Sequence, residues 1–387
     1  IAQCLVGSEM CIRDRDMIEA LVACGHTVFR EKYTDTKEWE EQRNRIDTVL
    51  EKEKSEIIFT FNYFPEISEY CMEKDCLYFS WVYDSPYINI LSYTAVNPCN
   101  RIFLFDYGVY QEMKAGGIST VYYLPLAVNP NRLKKIKNNP NMTRKHTCDV
   151  AFVGSMYTEK KHDLYSRFCN MDAFSKGYLD GIMNAQLQIY GQNFLQELLT
   201  KDIIDEMQKY YPTDPNARTI ATPEYIYTEY VLNRRVTAME RRKVLSRMAI
   251  MDTHLYTHEE ADPIPGIKMF GPVDYYDEMP YVFKNARINL NITLRSIKTG
   301  IPLRAFDIMG NGGFLLTNYQ EEFLEYFKPD QDFVYYENIE DAVEKAKYYL
   351  QHPGIREKIA ERGKKKVYNE HTFEERVKRM ILSLIHI

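Results

Sequence analysis

The sequence predicts an α/β protein of two doubly wound domains, each a parallel sheet covered by helices on both faces. Three observations support this prediction. Short apolar runs alternate with amphipathic stretches of helical period along most of the chain. A polar, basic segment at 131–147 interrupts this alternation, as an interdomain linker does. The length of 387 residues is sufficient for two domains of ordinary size.

Each predicted strand is a short run of apolar, β-branched or aromatic residues between turn-forming residues. In the first domain these runs are Thr27–Arg30, Ile57–Phe61, Leu77–Val82, Arg101–Phe105 and Thr120–Leu124. In the second domain they are Cys148–Gly154, Thr253–Tyr256, Lys268–Phe270, Arg287–Ile292, Gly313–Leu316 and Phe333–Tyr335. Because the strands alternate with helices, we expect parallel sheets and a ligand site at the carboxyl ends of the strands, in a cleft between the domains.

The predicted helices show apolar residues at helical spacing and capping residues at several ends. In the first domain they are a helix between Asp16 and Gly25, Thr36–Lys52, Glu66–Lys74 and Tyr107–Ala115. In the second they are Tyr276–Lys284, Leu303–Gly310, Gln320–Tyr326, Ile339–Gln351, Gly354–Glu370 and Phe373–Ser383. Two longer helical patterns, Phe194–Tyr210 and Tyr225–Met248, fall within 156–250, which we interpret as a helical insertion in the second domain.

The domain limits follow from this pattern and from the two ends of the chain. The predicted parts are an N-terminal domain at 16–130, a linker at 131–147, a C-terminal domain at 148–370 and a crossover helix at 371–382. Cys4–Arg15 and Leu382–Ile387 resemble translated adapter sequence at the edges of assembled metagenomic fragments. We therefore interpret 1–15 and 383–387 as foreign to the protein, and we expect the first strand of the N-terminal domain to be missing.

The composition indicates a globular protein of a reducing compartment. Apolar residues make up 45% and charged residues 27%, and the net charge of −6 argues against bulk binding of nucleic acid. The eight cysteines form no CxxC pair, so we predict neither a disulfide framework nor a zinc site, and we expect a cytoplasmic location. No apolar run approaches the ~18 residues of a membrane span. There is no dinucleotide-binding, P-loop or HExxH motif, and we expect neither a metal nor a cofactor.

The stretch Thr299–Asn318 is the most informative part of the sequence because it predicts a loop, a short helix and a buried strand in close succession. Pro302 suits the first turn of the helix. Lys298 and Arg304 lie near the helix N-terminus, which favours a diphosphate there. Asp307 follows Arg304 by three residues, so both side chains share one face of the helix. The alternative is an ordinary surface ion pair between Arg304 and Asp307.

Five segments together carry a resemblance to a known family. They are FSWVYDSP at Phe79–Pro86, DVAFVGS at Asp149–Ser155, MFGPVDYYDEMPYVFKNARINLNIT at Met269–Thr293, RAFDIMGNGGFLLTN at Arg304–Asn318 and IAERGKKKVYNEHTFEERV at Ile359–Val377. With them the chain from 16 to 382 resembles bacterial glycosyltransferases of the GT-B architecture, most closely the group named after the spore maturation protein CgeB. The resemblance implies two Rossmann-like domains, a nucleotide-diphosphate sugar as donor, transfer without a metal, and a role in spore or cell-surface glycosylation.

The resemblance also implies that the C-terminal domain holds the nucleotide and that the acceptor docks on the N-terminal domain. Asp307 then takes the place of the acid that accepts hydrogen bonds from the ribose hydroxyls. Cationic side chains and backbone N–H groups around Gly300–Leu303 would neutralise the leaving diphosphate. The predicted donor-binding set is Gly154, Ser155, Arg295, Lys298, Gly300, Arg304, Asp307, Gly312 and Gly313. For Gly154, a tight turn without ligand contact is an equal alternative.

One position departs from the family pattern. Many retaining GT-B enzymes carry two acidic residues eight positions apart, the second equivalent to Asp307. The residue eight positions before Asp307 is Thr299, so the resemblance leaves open whether transfer retains or inverts the anomeric configuration.

In the N-terminal domain, Asp84 is the predicted catalytic base or acceptor ligand because it directly follows a buried strand. The alternative for Asp84 is an Asx-type turn. We interpret His26 as structural. Thr372 is the expected N-cap of the last helix, and we predict that His371–Arg376 serves as a hinge.

Two functions of different class stay open at this point. The favoured one is a glycosyltransferase, and the alternative is a non-catalytic nucleotide-sugar-binding or assembly protein with a degenerate GT-B fold. The absence of an acid at Thr299 motivates the alternative. An epimerase or phosphorylase fits the sequence less well. The donor sugar, the acceptor (a glycan, a protein or a small molecule) and the oligomeric state are not specified by the sequence.

Overall fold

A computed structural model describes residues 2–8, 14–33, 39–53, 56–213, 219–258 and 260–384. These residues form two compact units. The first contains the described residues up to 132 together with 219–220 and 370–384, and the second contains 133–213 and the described residues from 221 to 369. Each unit contains one six-stranded parallel sheet, which confirms the predicted fold class.

The first unit has the sheet order β2-β1-β3-β4-β5-β6. Its strands are β1 (Ala2–Ser8), β2 (Thr27–Tyr33), β3 (Ile57–Phe61), β4 (Leu77–Val82), β5 (Asn100–Leu104) and β6 (Val121–Tyr123). Its first helices are α1 (Asp14–Ala23), α2 (Trp39–Glu53), α3 (Pro65–Lys74) and α4 (Tyr107–Ala115). Every residue of β3 and β5 is buried, as expected for parallel strands covered on both faces. The strand order reverses between β1 and β3, which makes this a doubly wound sheet.

The beginning of this sheet corrects the sequence analysis. We interpreted residues 1–15 as foreign and expected the first strand to be missing, but Ala2–Ser8 pair in parallel with both β2 and β3. The run has the apolar and β-branched content of a strand, which local composition favours. Helix α1 then begins at Asp14, whose buried carboxylate accepts a hydrogen bond from Arg30 at 3.0 Å. The resemblance to adapter sequence concerns the origin of these residues and stays a prediction.

The second unit has the sheet order β12-β11-β10-β7-β8-β9, with all strands parallel. The strands are β7 (Cys148–Val153), β8 (Thr253–Tyr256), β9 (Lys268–Phe270), β10 (Ala286–Asn291), β11 (Leu315–Asn318) and β12 (Val334–Tyr336). In chain order this is a 3-2-1-4-5-6 sheet of the Rossmann type read from β9. The switch point therefore lies between β7 and β10.

The remaining helices follow in chain order. They are α5 (Pro130–Lys134), α6 (Pro140–His146), α7 (Ala173–Leu187), α8 (Leu195–Leu198), α9 (Lys201–Tyr210), α10 (Pro223–Ile226), α11 (Asn233–Met248), α12 (Met279–Asn285), α13 (Leu303–Gly310), α14 (Glu322–Tyr326), α15 (Ile339–Gln351), α16 (Pro353–Glu370) and α17 (Phe373–Leu382). All of them belong to the second unit except α17, the first residues of α5 and the last residue of α16, which belong to the first. Helices α7 to α11 lie between β7 and β8, where the sequence predicts an insertion. A π-helical stretch, Tyr227–Leu232, runs directly into α11.

The predicted linker at 131–147 has more structure than its polar composition indicated. Helices α5 and α6 occupy most of it. Asn139 caps α6 through its side chain, and Pro140 occupies the first turn, where no N–H partner is needed. His146, at the end of α6, is completely buried. A segment that reads as a linker from composition is therefore folded largely into the second unit.

The end of the chain returns to the first unit. Val128 N donates to His371 O at 3.0 Å, and Phe373 N donates to Val128 O at 3.2 Å. Arg376 is 1% exposed, and its Nε donates to Pro125 O at 2.8 Å. Thr372 caps α17 through its side chain, as predicted. The predicted hinge role of 371–376 stays a prediction.

Candidate functional site

The carboxyl edge of the second sheet carries the candidate site. A loop, 154–159, follows β7, and a longer segment, 292–302, follows β10 and leads into the N-terminus of α13. These two connections flank the switch point, where open α/β sheets bind their ligands. Most of the predicted donor-binding residues belong to these segments or to α13.

The loop after β7 is held by its own side chains. Ser155 Oγ donates to Glu159, and Tyr157 N donates to Ser155 Oγ at 3.0 Å. Met156 N donates to Glu159 Oε1 at 3.0 Å. Burial acts to raise the pKa of Glu159, but the backbone N–H groups and the Ser155 hydroxyl that hydrogen-bond to it outweigh burial and hold its pKa below the ordinary value. Tyr157 has a φ of 56°, a left-handed conformation that is uncommon for a tyrosine.

Arg241 of α11 connects this loop to the end of β10. Its Nη1 donates to Ser155 O, and its Nη2 donates to Ile292 O at 2.6 Å. The guanidinium lies 5.2 Å from the Phe152 ring centroid and 4.7 Å from that of Tyr157. Arg241 is 7% exposed. One buried side chain from the helical insertion thus bridges the two connections at the switch point.

The predicted diphosphate ligand Arg295 is engaged elsewhere. Its Nε donates to Glu240 Oε2 at 2.8 Å, and its Nη1 donates to Ile189 O at 2.6 Å. Its guanidinium lies 4.2 Å from the Tyr190 ring centroid, and the Tyr190 hydroxyl donates to Glu240 at 2.7 Å. Burial acts to lower the pKa of Arg295, but the charge of Glu240 outweighs it and raises that pKa. The side chain of Arg295 therefore forms a buried ion pair with α11.

Residues 297–300 are held by Gln320, just before α14, and by Glu322, the first residue of that helix. Gln320 Nε2 donates to Ile297 O at 3.1 Å and to Gly300 O at 3.3 Å. Glu322 N donates to Thr299 O at 3.2 Å. Thr299 Oγ1 in turn donates to the carboxylate of Glu322 at 2.8 Å. A buried carboxylate therefore lies beside Thr299, although the sequence has no acid at that position.

Helix α13 carries the predicted ribose ligand. Asp307 is 5% exposed, and its Oδ1 accepts a hydrogen bond from the Tyr275 hydroxyl at 2.8 Å. Arg304 Nη1 lies 3.6 Å from Asp307 Oδ2, contacts the sulfur of Met279, and its guanidinium lies 5.5 Å from the Phe283 ring centroid. The Arg304–Asp307 pair thus shares one helix face, as predicted, but Asp307 is buried and oriented by a tyrosine.

Two predicted donor-binding glycines lie at the other end of α13. Gly312 has a φ of +78°, which favours glycine. A Cβ on Gly313 would lie 2.6 Å from Asn289 Nδ2 and 2.6 Å from Phe283 O, so no larger residue fits. Steric demand at the turn into β11 accounts for both glycines. The structure does not bring them to the N-terminus of α13, and their role in donor binding stays a prediction.

In the first unit, Asp84 follows β4 and is exposed. Its Oδ2 accepts a hydrogen bond from Asn62 Nδ2 at 2.7 Å. Asn62 follows β3 with a φ of 62°, and its Oδ1 accepts from Tyr83 N and Asp84 N. The amide of Asn62 therefore fixes the loop and the carboxylate of Asp84 together. The sequence analysis missed Asn62, although its position after a buried strand is the same signal that pointed to Asp84.

Two buried histidines of the second unit, His146 at the end of α6 and His254 on β8, contact the hydroxyl of Tyr256. His146 Nδ1 and His254 Nδ1 lie 2.9 Å and 3.3 Å from the Tyr256 hydroxyl. His146 Nε2 is 3.2 Å from Glu278, and His254 Nε2 is 3.6 Å from Asp252. Burial is the largest influence on both imidazoles and lowers their pKa, although the two carboxylates act to raise it.

Among the described residues, no group of three or more His, Cys, Asp and Glu side chains is arranged to hold a metal ion. None of the described helices combines the length and apolarity that crossing a membrane requires. The residues that sequence reasoning missed at the second-unit site are Glu240, Arg241, Tyr275 and Glu322. Their partners are distant in sequence, so no local spacing pointed to them.

Comparison with known proteins shows what part of the chain resembles and which solved structures share its fold. Residues 228–381 match a family model described as "Glycosyl transferase-like", so this part of the chain is similar to glycosyltransferases. The matched range includes α11, Tyr275 and α13. No curated protein matches the chain.

Three solved structures illustrate the similarity of fold. A glycosyltransferase from Rickettsia africae is 12% identical over 98% of this chain and 96% of its own, with a TM-score of 0.58. The Anabaena protein HepE, solved with UDP-glucose, is 8% identical over the full length of both chains, with a TM-score of 0.53. The BGT protein of phage T4, also solved with UDP-glucose, is 8% identical over 99% of this chain and 98% of its own, with a TM-score of 0.52. The chain therefore has the GT-B fold.

Proposed function

We propose that this chain is a glycosyltransferase that takes a nucleotide-diphosphate sugar as donor and binds its nucleotide at the carboxyl edge of the second sheet. The observation that carries the proposal is Asp307, a buried carboxylate on a helix whose N-terminus lies beside the switch point. The glycosyltransferase-like match over 228–381 supports it. So does the fold shared with two proteins solved with UDP-glucose.

The chemistry of Asp307 suits a ribose. A carboxylate has about four acceptor positions, and the Tyr275 hydroxyl is one of the donors to Asp307. In this proposal, two vicinal ribose hydroxyls donate hydrogen bonds to the carboxylate of Asp307. Charge-assisted hydrogen bonds of this kind are roughly twice as strong as neutral ones. Tyr275 fixes the orientation of the carboxylate before the ligand arrives.

The diphosphate belongs at the N-terminus of α13 in this proposal. The helix dipole and the first backbone N–H groups favour an anion there. Arg304 and Lys298 add positive charge nearby, and we propose that these fixed cations stabilise the leaving diphosphate without a metal ion. Arg295 pairs with Glu240, and its predicted role at the diphosphate stays a prediction. Turnover that persists in EDTA would support metal independence, and turnover that requires added divalent cation would contradict it.

Finer features of the function are also proposals. The sugar is a hexose, the chain is a member of the CgeB-like group acting in the cytoplasm on spore or cell-surface acceptors, and Asp84 is the catalytic base or acceptor ligand. Two observations support this role of Asp84: its side chain is exposed just after a buried strand, and Asn62 orients its carboxylate. Replacement of Asp84 with asparagine should lower kcat while leaving donor affinity unchanged.

Calorimetric titration of UDP, GDP, dTDP and ADP into the full chain tests the donor site. We expect one nucleotide to bind the wild type with a Kd below millimolar and to bind Asp307→Ala at least about tenfold more weakly. Asp262→Asn, an exposed carboxylate of the same unit, is the matched control and should bind like the wild type. Absence of binding by the wild type, or equal binding by Asp307→Ala, would contradict the site.

Donor hydrolysis then separates an enzyme from a binding protein. Transferases release free sugar slowly when water replaces the acceptor, so the sugar nucleotide of the bound base should be hydrolysed by the wild type and not by Asp84→Asn. Tight nucleotide binding without any release of sugar across donors would favour the non-catalytic role.

A further inference from the structure

Arg241 stands at the one place in the second unit where the strand order reverses. Its two Nη atoms donate to Ser155 O, two residues after β7, and to Ile292 O, one residue after β10. These two strands are paired neighbours in the sheet. A Cβ at Gly154 would lie 3.8 Å from Arg241 Nη1, an ordinary van der Waals contact, so this approach does not require a glycine. The side chain therefore fixes the separation of the two connections that flank the switch point.

Within the part of the chain that the structure describes, the charge of Arg241 has no counter-ion. Among the described residues it forms no ion pair, and its contacts are two carbonyl oxygens and two aromatic rings. Its Nε is buried and has no acceptor. Glu240, the preceding residue, pairs with Arg295 instead. A buried charge without a partner is strongly disfavoured, and a buried donor without an acceptor carries its full desolvation cost.

We propose that Arg241 is a positioning residue of the donor site, which braces the switch-point connections and whose buried charge favours an anionic ligand beside them. This inference rests on the proposed function. The side chain contacts the backbone of both connections, and its role is to hold them and to set the electrostatic potential there. Because the residue Arg241 is only 7% exposed, salt screens its charge much less than it screens surface cations.

The two parts of the role have separate signatures. If Arg241 only held the two connections in place, it would increase the affinity for every ligand bound beside them to the same extent, whether the ligand is charged or neutral. A buried positive charge acts in proportion to the negative charge of the ligand. The affinity lost when the charge is removed should therefore increase from a nucleoside to its monophosphate and to its diphosphate.

Arg241→Lys and Arg241→Gln make the matched pair for this test. Each retains a hydrogen-bond donor but loses the fixed fork of the guanidinium, and only lysine retains the charge. The adjacent exposed residue provides the control Arg242→Gln. Calorimetry uses the nucleoside, monophosphate and diphosphate of whichever base the wild type binds, at a temperature below the melting transition of every variant.

We expect Arg241→Gln to bind the diphosphate about tenfold or more weakly than Arg241→Lys does, with a smaller difference for the monophosphate and none for the nucleoside. Arg242→Gln should match the wild type for all three ligands. As a second measurement, guanidinium ion added to Arg241→Ala should restore diphosphate binding, whereas an equal concentration of sodium ion should not.

The same experiment overturns the inference in defined ways. Equal affinity of the lysine and glutamine variants for the diphosphate, or an equal difference for nucleoside and diphosphate, would show that the charge has no role. Diphosphate binding by Arg241→Ala at wild-type strength would remove the brace as well. If the wild type binds no nucleotide, the proposed function itself fails, which is distinct from a wild type that binds and variants that bind equally.

Discussion

Replacing Glu240 with glutamine tests the buried ion pair that connects the helical insertion to the segment after β10. The side chains of Glu240 and Arg295 are 0% and 8% exposed, and their Oε2 and Nε atoms are 2.8 Å apart. Glutamine retains an acceptor for the Tyr190 hydroxyl but leaves the Arg295 charge buried without a counter-ion. Breaking a buried pair from one side costs about 3–5 kcal/mol of the free energy of unfolding. We therefore expect a loss of about 3 kcal/mol for Glu240→Gln.

The choice of assay follows from the position of the tryptophans. Trp39 and Trp81 are the two tryptophans of the chain, and both belong to the first unit. Tryptophan fluorescence therefore does not report on α11. Urea unfolding followed by far-ultraviolet circular dichroism reports on the secondary structure of both units, and amide hydrogen exchange of 233–248 reports on α11 itself.

The double variant Glu240→Gln/Arg295→Met supplies the refutation. Removing both charges leaves no uncompensated ion, so the double variant should be less destabilised than Glu240→Gln alone. If the double variant lost as much free energy of unfolding as Glu240→Gln and Arg295→Met lose together as single variants, the two side chains would not interact. If Glu240→Gln lowered the free energy of unfolding by less than about 0.5 kcal/mol, the pair would contribute no more than a solvent-exposed ion pair does, which would contradict the account.

Two further predictions concern stability. His146 and His254 have a folded-state pKa below the ordinary value of about 6.5, so the unfolded chain binds more protons, and stability should be full above pH 6.5 and decrease as the pH falls below it. The urea concentration at the unfolding midpoint should decrease when the pH is lowered from 7.5 to 5.5, and the decrease should be smaller in His146→Asn. An equal decrease in His146→Asn and in the wild type would contradict the role of His146. Gly313→Ala should lower the free energy of unfolding by about 2 kcal/mol because the new Cβ would overlap the backbone oxygen of Phe283. Gly181→Ala, in open space within α7, should raise the free energy of unfolding by up to about 1 kcal/mol. Similar shifts of the melting temperature in both variants would refute the steric explanation.

Much of the second unit could be predicted from the sequence because its elements have strong local patterns. The limits of β8, β9, α13 and α15 are the predicted ones. Each is bounded by residues with clear turn or capping chemistry, such as Asn338 before α15. Local propensity and periodicity determine such limits without any knowledge of distant contacts.

The site was only partly predictable, for a physical reason. The Arg304–Asp307 pair lies on one helix face and follows from helical spacing. The sequence predicts Arg295 as a diphosphate ligand, but it does not predict the partner of Arg295, Glu240, which is 55 residues earlier in the chain. Glu322 likewise reaches Thr299 from 23 residues later. Pairing over such separations depends on how helices pack, and a single sequence carries no direct record of that packing.

The strand formed by Ala2–Ser8 shows the opposite limit. The sequence analysis judged these residues by the resemblance of the chain end to foreign sequence. Their composition nevertheless suits a strand, and the gap between β2 and β3 is a position that any compatible strand can fill by backbone hydrogen bonding. Physical compatibility and sequence origin are separate questions.

Hydrogen exchange with and without the bound nucleoside diphosphate tests the central claim most directly. The account predicts slower exchange of backbone amides in 154–157 and 300–307 when the nucleotide is present, with no change at 312–313. Protection should disappear in Asp307→Ala at the same nucleotide concentration. Protection confined to segments outside the carboxyl edge of the second sheet, or equal protection in Asp307→Ala, would contradict the donor site.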